Sequence, residues 1–194
     1  MRQERGEKAL TLPVSPHDHR RGPLSAAVTV VEYGDYECAH CRQANRVIKD
    51  NWHRLGDRVQ FVFRNFPVNQ VHAQAQHAAE AAEAAGAQNR FWEMHDTLFE
   101  HQQTLENGYL VEYANGMGLD TMQFLRDMAE HTHADRVRED FESGLRSGVN
   151  GTPTFFIDGV RYEDPWDVET LLTVIEELVV VNIAPDGTPT MTNP

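Results

Sequence analysis

Two cysteines separated by two residues, Cys38-Ala39-His40-Cys41, stand where a strand pattern turns into a helix pattern, and the chain has no other cysteine. Upstream, Ala27-Val28-Thr29-Val30-Val31-Glu32-Tyr33 is β-branched and ends at Gly34-Asp35, which predicts a buried strand. Downstream, Ala44, Val47, Ile48 and Trp52 recur at three- and four-residue intervals, which predicts an amphipathic helix over 41–55. Arg58 to Arg64 reads as a second strand. The dithiol therefore opens the helix of a βαβ unit, the context in which this spacing reads as a thioredoxin-like redox motif.

Other uses of two cysteines fit less well. A disulfide over two intervening residues closes too short a loop to constrain the unfolded chain much. A zinc site needs four ligands, and no second pair exists. On a helix, residues i and i+3 share a face, close enough to bridge. Cys38 at the helix N-terminus meets unsatisfied N–H groups and the positive end of the dipole, which favour the thiolate. Such placement lowers a thiol from about 8.5 into the range of roughly 3.5–7.5. His40 lies between the sulfurs and adds positive charge or a hydrogen bond. Cys41, one turn inside, is the shielded resolving thiol.

The chain resembles the DsbA-like family of thioredoxin-fold proteins from about residue 25 to residue 180. The resemblance rests on Val31-Glu32-Tyr33-Gly34-Asp35-Tyr36-Glu37-Cys38-Ala39-His40-Cys41 and on Phe63-Arg64-Asn65-Phe66-Pro67. It rests also on Phe91-Trp92-Glu93-Met94-His95-Asp96-Thr97-Leu98-Phe99 and on Gly148-Val149-Asn150-Gly151-Thr152-Pro153-Thr154-Phe155-Phe156-Ile157-Asp158-Gly159. Asp18-His19-Arg20-Arg21-Gly22-Pro23 is similar to DsbA-like domains fused to sodium/proton antiporters. The resemblance implies an α/β thioredoxin-like fold with a helical insertion and a thiol–disulfide oxidoreductase that uses Cys38 and Cys41. It also implies a cis Thr152–Pro153 peptide that faces the dithiol and docks substrate, and a buried Glu32 beneath the disulfide that relays a proton. Where the family often has Pro after the first cysteine, this chain has Ala39, so the helix start is less stiff. His40 matches the oxidising DsbA pattern and implies a potential above that of thioredoxin.

Between the two halves of the thioredoxin unit, about 68–147 reads as helical: 72–87, 91–102, 110–117, 121–130 with Asp120 as N-cap, and 134–147. Phe91, Trp92, Met94, Leu98, Phe99, Phe124 and Leu125 are expected to form the core of that insert. A last helix is expected over 165–180, starting at Pro165. The domain is thus placed at 16–183, with disorder expected for an arm at 1–15 and a tail at 184–194. Gly187-Thr188-Pro189-Thr190 repeats the turn tetrapeptide but precedes no apolar strand, and takes no role.

Seventeen Lys and Arg face 30 Asp and Glu, a formal charge of −13, which argues against nucleic acid or an anionic membrane as partner. The ten histidines fall at spacings that complete no metal set. No cofactor is called for, because the cysteines are themselves the redox couple. The opening Met1-Arg2-Gln3-Glu4-Arg5-Gly6-Glu7-Lys8 leads into a run too short and polar for a signal peptide, which predicts a cytoplasmic protein. There, glutathione would favour net reduction or oxidant sensing. Protein or peptide thiols and disulfides are the expected substrates, and a thioredoxin or glutathione system the expected redox partner. The alternative is a thioredoxin-fold peptide-binding, chaperone or isomerase module with little net turnover.

Overall fold

The computed structural model describes residues 9–163 and 168–182. Its strands are β1 (His19–Arg21), β2 (Val28–Gly34), β3 (Val59–Asn65), β4 (Thr154–Ile157) and β5 (Val160–Arg161). Its helices are α1 (Ala39–Leu55), α2 (Ala75–Gly86), α3 (Phe91–Glu100), α4 (Asn107–Gly116), α5 (Thr121–Ala129), α6 (Ala134–Arg146) and α7 (Val168–Asn182). The sheet order is β1-β3-β2-β4-β5; β2 and β3 are parallel and the other pairs antiparallel. The fold is a thioredoxin-like α/β fold with α2–α6 inserted between β3 and β4.

Alternation on the strands divides the core. Val28 and Val30 of β2, Phe61 and Phe63 of β3, and Phe155 and Ile157 of β4 pack with Cys41, Ala44 and Ile48 of α1 and with α7. Val31, Tyr33, Val62 and Phe156 pack on the other face with Phe66 and Phe141. Successive strand residues point to opposite faces, so Glu32 shares the face of Val28 and Val30 and lies under α1. Each fully buried Val, Ile or Phe contributes about 1.5–3 kcal/mol. A β2 buried on both sides therefore makes a firm base for the turn that carries the dithiol.

The structure moves several boundaries. Cys38 stands at the helix N-terminus as expected, extended at the N-cap (φ −70°, ψ 118°), and α1 runs from Ala39, two residues ahead of the periodic stretch 41–55. α2 starts at Ala75 rather than 72, because Val71 and His72 N–H both turn back to the Val68 carbonyl. Asp120 caps α5, accepting from Gln123 N–H at 2.9 Å. Leu125, expected in the core, is 41% exposed, since α5 buries only Phe124 and Met128, four apart on its inner side. β1 and β5 have no counterpart in the sequence reading: they are three and two residues long, and their apolar pattern is too short to register.

The arm expected to be disordered to residue 15 is docked from residue 9 onward. Ala9 bridges Val160, and Thr11 N–H reaches Ser147 Oγ at 3.0 Å. The cause is Arg64, fully buried on β3. Its guanidinium needs acceptors, and it takes the carbonyls of Leu12 and Pro13, the Tyr33 hydroxyl and both carboxylate oxygens of Asp18 (2.8 and 3.2 Å). Residues 1–8, the start of the last helix at Pro165 and the tail 184–194 with its Gly187-Thr188-Pro189-Thr190 repeat lie outside the described residues.

Candidate active site

Both cysteines are free thiols, and the Cys41 thiol hydrogen-bonds the Cys38 sulfur. Cys38, 7% exposed, sits at the N-cap of α1, while Cys41 is fully buried one turn inside. The sulfurs are therefore together, one near the surface and one beneath it.

Their environments push them apart in acidity. Cys38 is lowered to about 5, first by the hydrogen bond from Cys41, against the opposing cost of burial. The Thr152 side chain and the backbone N–H groups of Cys41 and His40 add to the lowering. These are the unsatisfied donors of a helix start aimed at one sulfur. Burial pushes Cys41 well above an ordinary thiol, and the charges of Glu32 and Cys38 reinforce that.

The second wall comes from the turn before β4. The Thr152–Pro153 peptide is cis, and the Thr152 carbonyl lies 3.3 Å from Cys38 Sγ. Thr152 and Pro153 are both half-buried beside the dithiol. Glu32 is buried, with Oε1 lacking a hydrogen-bond partner, and burial, with the Cys38 charge, holds its carboxyl well above the usual range. His40 is exposed, and its backbone N–H hydrogen-bonds the Cys38 sulfur.

Three site residues escaped the sequence reading. Asp35 seemed only the end of a strand, yet its carboxylate accepts from Glu37 N–H (2.8 Å), Val68 N–H (2.7 Å) and His72 Nδ1 (2.9 Å). Gln102, just past α3, donates to the carbonyls of Tyr36 (2.7 Å) and Cys38 (3.0 Å) and so ties down the loop that enters α1. Neither partnership has a local signal, because each joins segments more than 30 residues apart. His72, expected to begin a helix, stands on the loop before it.

A thioredoxin-like sheet that sets an acidic Cys38 at a helix start, over a buried Cys41 and beside a cis-prolyl turn, defines the class of DsbA-like thiol–disulfide oxidoreductases. The Thioredoxin_4 family model, described as Thioredoxin, matches residues 14–177, and the chain belongs to that family.

The chain is 42% identical over 182 residues to the Na(+)/H(+) antiporter NhaA 3 of Salinispora tropica, covering 92% of this chain and 28% of that protein. It thus spans under a third of that antiporter's length, and among the described residues no helix is long and apolar enough to cross a membrane. Among solved structures, oxidised BdbD from Bacillus subtilis matches with a TM-score of 0.71 and 26% identity, covering 84% of this chain and 93% of that one. A thioredoxin-like oxidoreductase from Silicibacter pomeroyi matches with a TM-score of 0.72 and 26% identity, covering 84% and 92%. α-DsbA1 of Wolbachia pipientis shares the fold at a TM-score of 0.73 and 21% identity, covering 89% and 95%.

These neighbours correct one expectation. BdbD is an extracytoplasmic oxidoreductase, so the cytoplasmic placement drawn from the start of the chain does not stand. The absence of a leader-like run says nothing once a chain matches a fraction of longer relatives.

Proposed function

We propose that this chain exchanges disulfides with protein or peptide substrates through Cys38 and Cys41, working chiefly as an oxidant of thiols. The observation that carries the reading is the Cys38 sulfur, lowered to about 5 and ringed by donors, over a Cys41 thiol that burial keeps protonated. In the oxidised enzyme a substrate thiolate attacks Cys38, and Cys41 leaves and takes up a proton. A second substrate thiolate then attacks the substrate sulfur of the mixed disulfide and expels Cys38. A thiol of low pKa leaves readily, and its stable thiolate favours the dithiol form of the enzyme. Run in reverse, Cys38 attacks a substrate disulfide and Cys41 resolves it.

Each remaining residue has a part in this scheme. Thr152 and Pro153 present an edge along which an extended peptide lies. Glu32, whose carboxyl burial holds well above the usual range, exchanges a proton with Cys41. The His40 N–H holds the Cys38 thiolate.

Replacing Cys41 with Ser tests the scheme. With Cys38 left to react and nothing to resolve it, a peptide disulfide should accumulate as a mixed disulfide on Cys38, visible by mass. An unmodified Cys41→Ser protein would show that Cys38 is idle and that the chain is a binding module.

A further inference from the structure

Asp35 touches both cysteines through its backbone and a histidine through its side chain. Its carbonyl accepts from Cys38 N–H at 3.1 Å, and its own N–H points at Cys41 Sγ at 3.5 Å. Its carboxylate is 1% exposed and receives three N–H donors, one of them His72 Nδ1. His72 itself is a quarter exposed at the rim. With Nδ1–H committed to Asp35, the basic nitrogen is Nε2.

We propose that Asp35 and His72 form a redox-linked pair: Asp35 positions the loop that presents the two sulfurs, and His72 gains positive charge when Cys38 gains negative charge. The inference rests on the exchange chemistry proposed above and adds to it a residue through which the proton balance is kept. A substrate dithiol delivers two electrons and two protons to the enzyme disulfide. The substrate S–S bond forms and the Cys38–Cys41 bond breaks. One proton stays on Cys41, Cys38 is left as thiolate, and the other proton is released, in part to His72 Nε2 and otherwise to solvent.

The charged groups that act most strongly on His72 come from the loop before α1. Burial disfavours its charged form, but the Asp35 hydrogen bond and charge, and then the charges of Cys38 and Glu37, outweigh it and raise its pKa. Its own segment, 68–74, holds no other titratable side chain. The Asp35 and Glu37 contributions are present in either redox state. The Cys38 contribution exists only in the dithiol form, since a disulfide carries no charge. By linkage, the preference His72 gains from the thiolate is returned to it: protonated His72 favours the reduced enzyme.

The test is a titration of the His72 ring by NMR in the full chain, oxidised and reduced. The expected midpoint is higher in the reduced protein by about half a pH unit, the size of a charge–charge effect near a surface. In reduced Cys38→Ser protein the midpoint should fall back to the oxidised value. Equal midpoints in both redox states of a protein that still exchanges disulfides would overturn the pair and leave the function intact. A chain in which the midpoint shifts but Cys41→Ser traps no substrate would overturn the function instead. His72→Gln should raise the pH midpoint of Cys38 alkylation by a similar half unit, and His72→Lys should restore it by restoring the charge. A structural role alone would move stability in both variants and the alkylation midpoint in neither.

Discussion

The carbonyl oxygen of Thr152 lies 3.3 Å from the sulfur of Cys38, a residue 114 positions earlier in the chain. A carbonyl only accepts, so this contact pairs with the protonated thiol. The Thr152 side chain favours the thiolate. One residue of the prolyl turn thus meets both charge states of the reacting atom.

Alkylation of Cys38 should follow a midpoint near 5, and Thr152→Ala should raise that midpoint by about half to one pH unit, the worth of one hydrogen bond. Rates of iodoacetamide labelling across pH 3 to 9 check both values. An unaltered midpoint in Thr152→Ala would remove its side chain from the thiolate's environment.

The reduced protein should gain stability over the oxidised one as pH rises from about 5 to about 8.5. In that window the unfolded chain keeps a proton on Cys38 that the native state has lost, so the gain is about 1.4 kcal/mol per pH unit. Below about 5 both states hold the proton and the gain vanishes. Above 8.5 the buried Cys41, raised in the native state, works the other way. Urea unfolding of both redox forms at a series of pH values measures this, and parallel stability curves would contradict a depressed Cys38.

Glu32→Gln keeps the shape of a side chain whose charged form burial disfavours, so stability should change by under about 1 kcal/mol. The same change removes the exchangeable proton beside Cys41, and release of the mixed disulfide should slow by about tenfold to a hundredfold. Single-turnover kinetics with a peptide substrate separate this step from the first attack. Wild-type release with Gln at this position would leave Glu32 no part in proton transfer.

Asp18→Ala should cost about 3–5 kcal/mol, because it leaves the fully buried Arg64 guanidinium without its carboxylate. Burial opposes ionisation of Asp18, but its bonds to Arg64 and Ser15 prevail and hold its pKa below the ordinary value. The pair's stabilisation is thus present at neutral pH and lost as pH falls through the acid range, below about 4. Chemical denaturation of the variant at pH 7 and pH 3 should show the deficit at the first and little of it at the second.

The strand–turn–helix that holds the dithiol, the strands Val28–Gly34 and Val59–Asn65, and the helical insert were legible in the order of residues. All of these rest on local periodicity and on the i, i+3 spacing of Cys38 and Cys41. The helix start already implied an acidic Cys38; the loop's supports from distant segments emerged only with the three-dimensional fold. Gln102 and His72 reach the same loop from distant segments, and the partner of a hydrogen bond across such a separation leaves no periodic trace. The docking of residues 9–18 was hidden for the same reason. A polar stretch looks unstructured until a buried cation, here Arg64, requires its carbonyls.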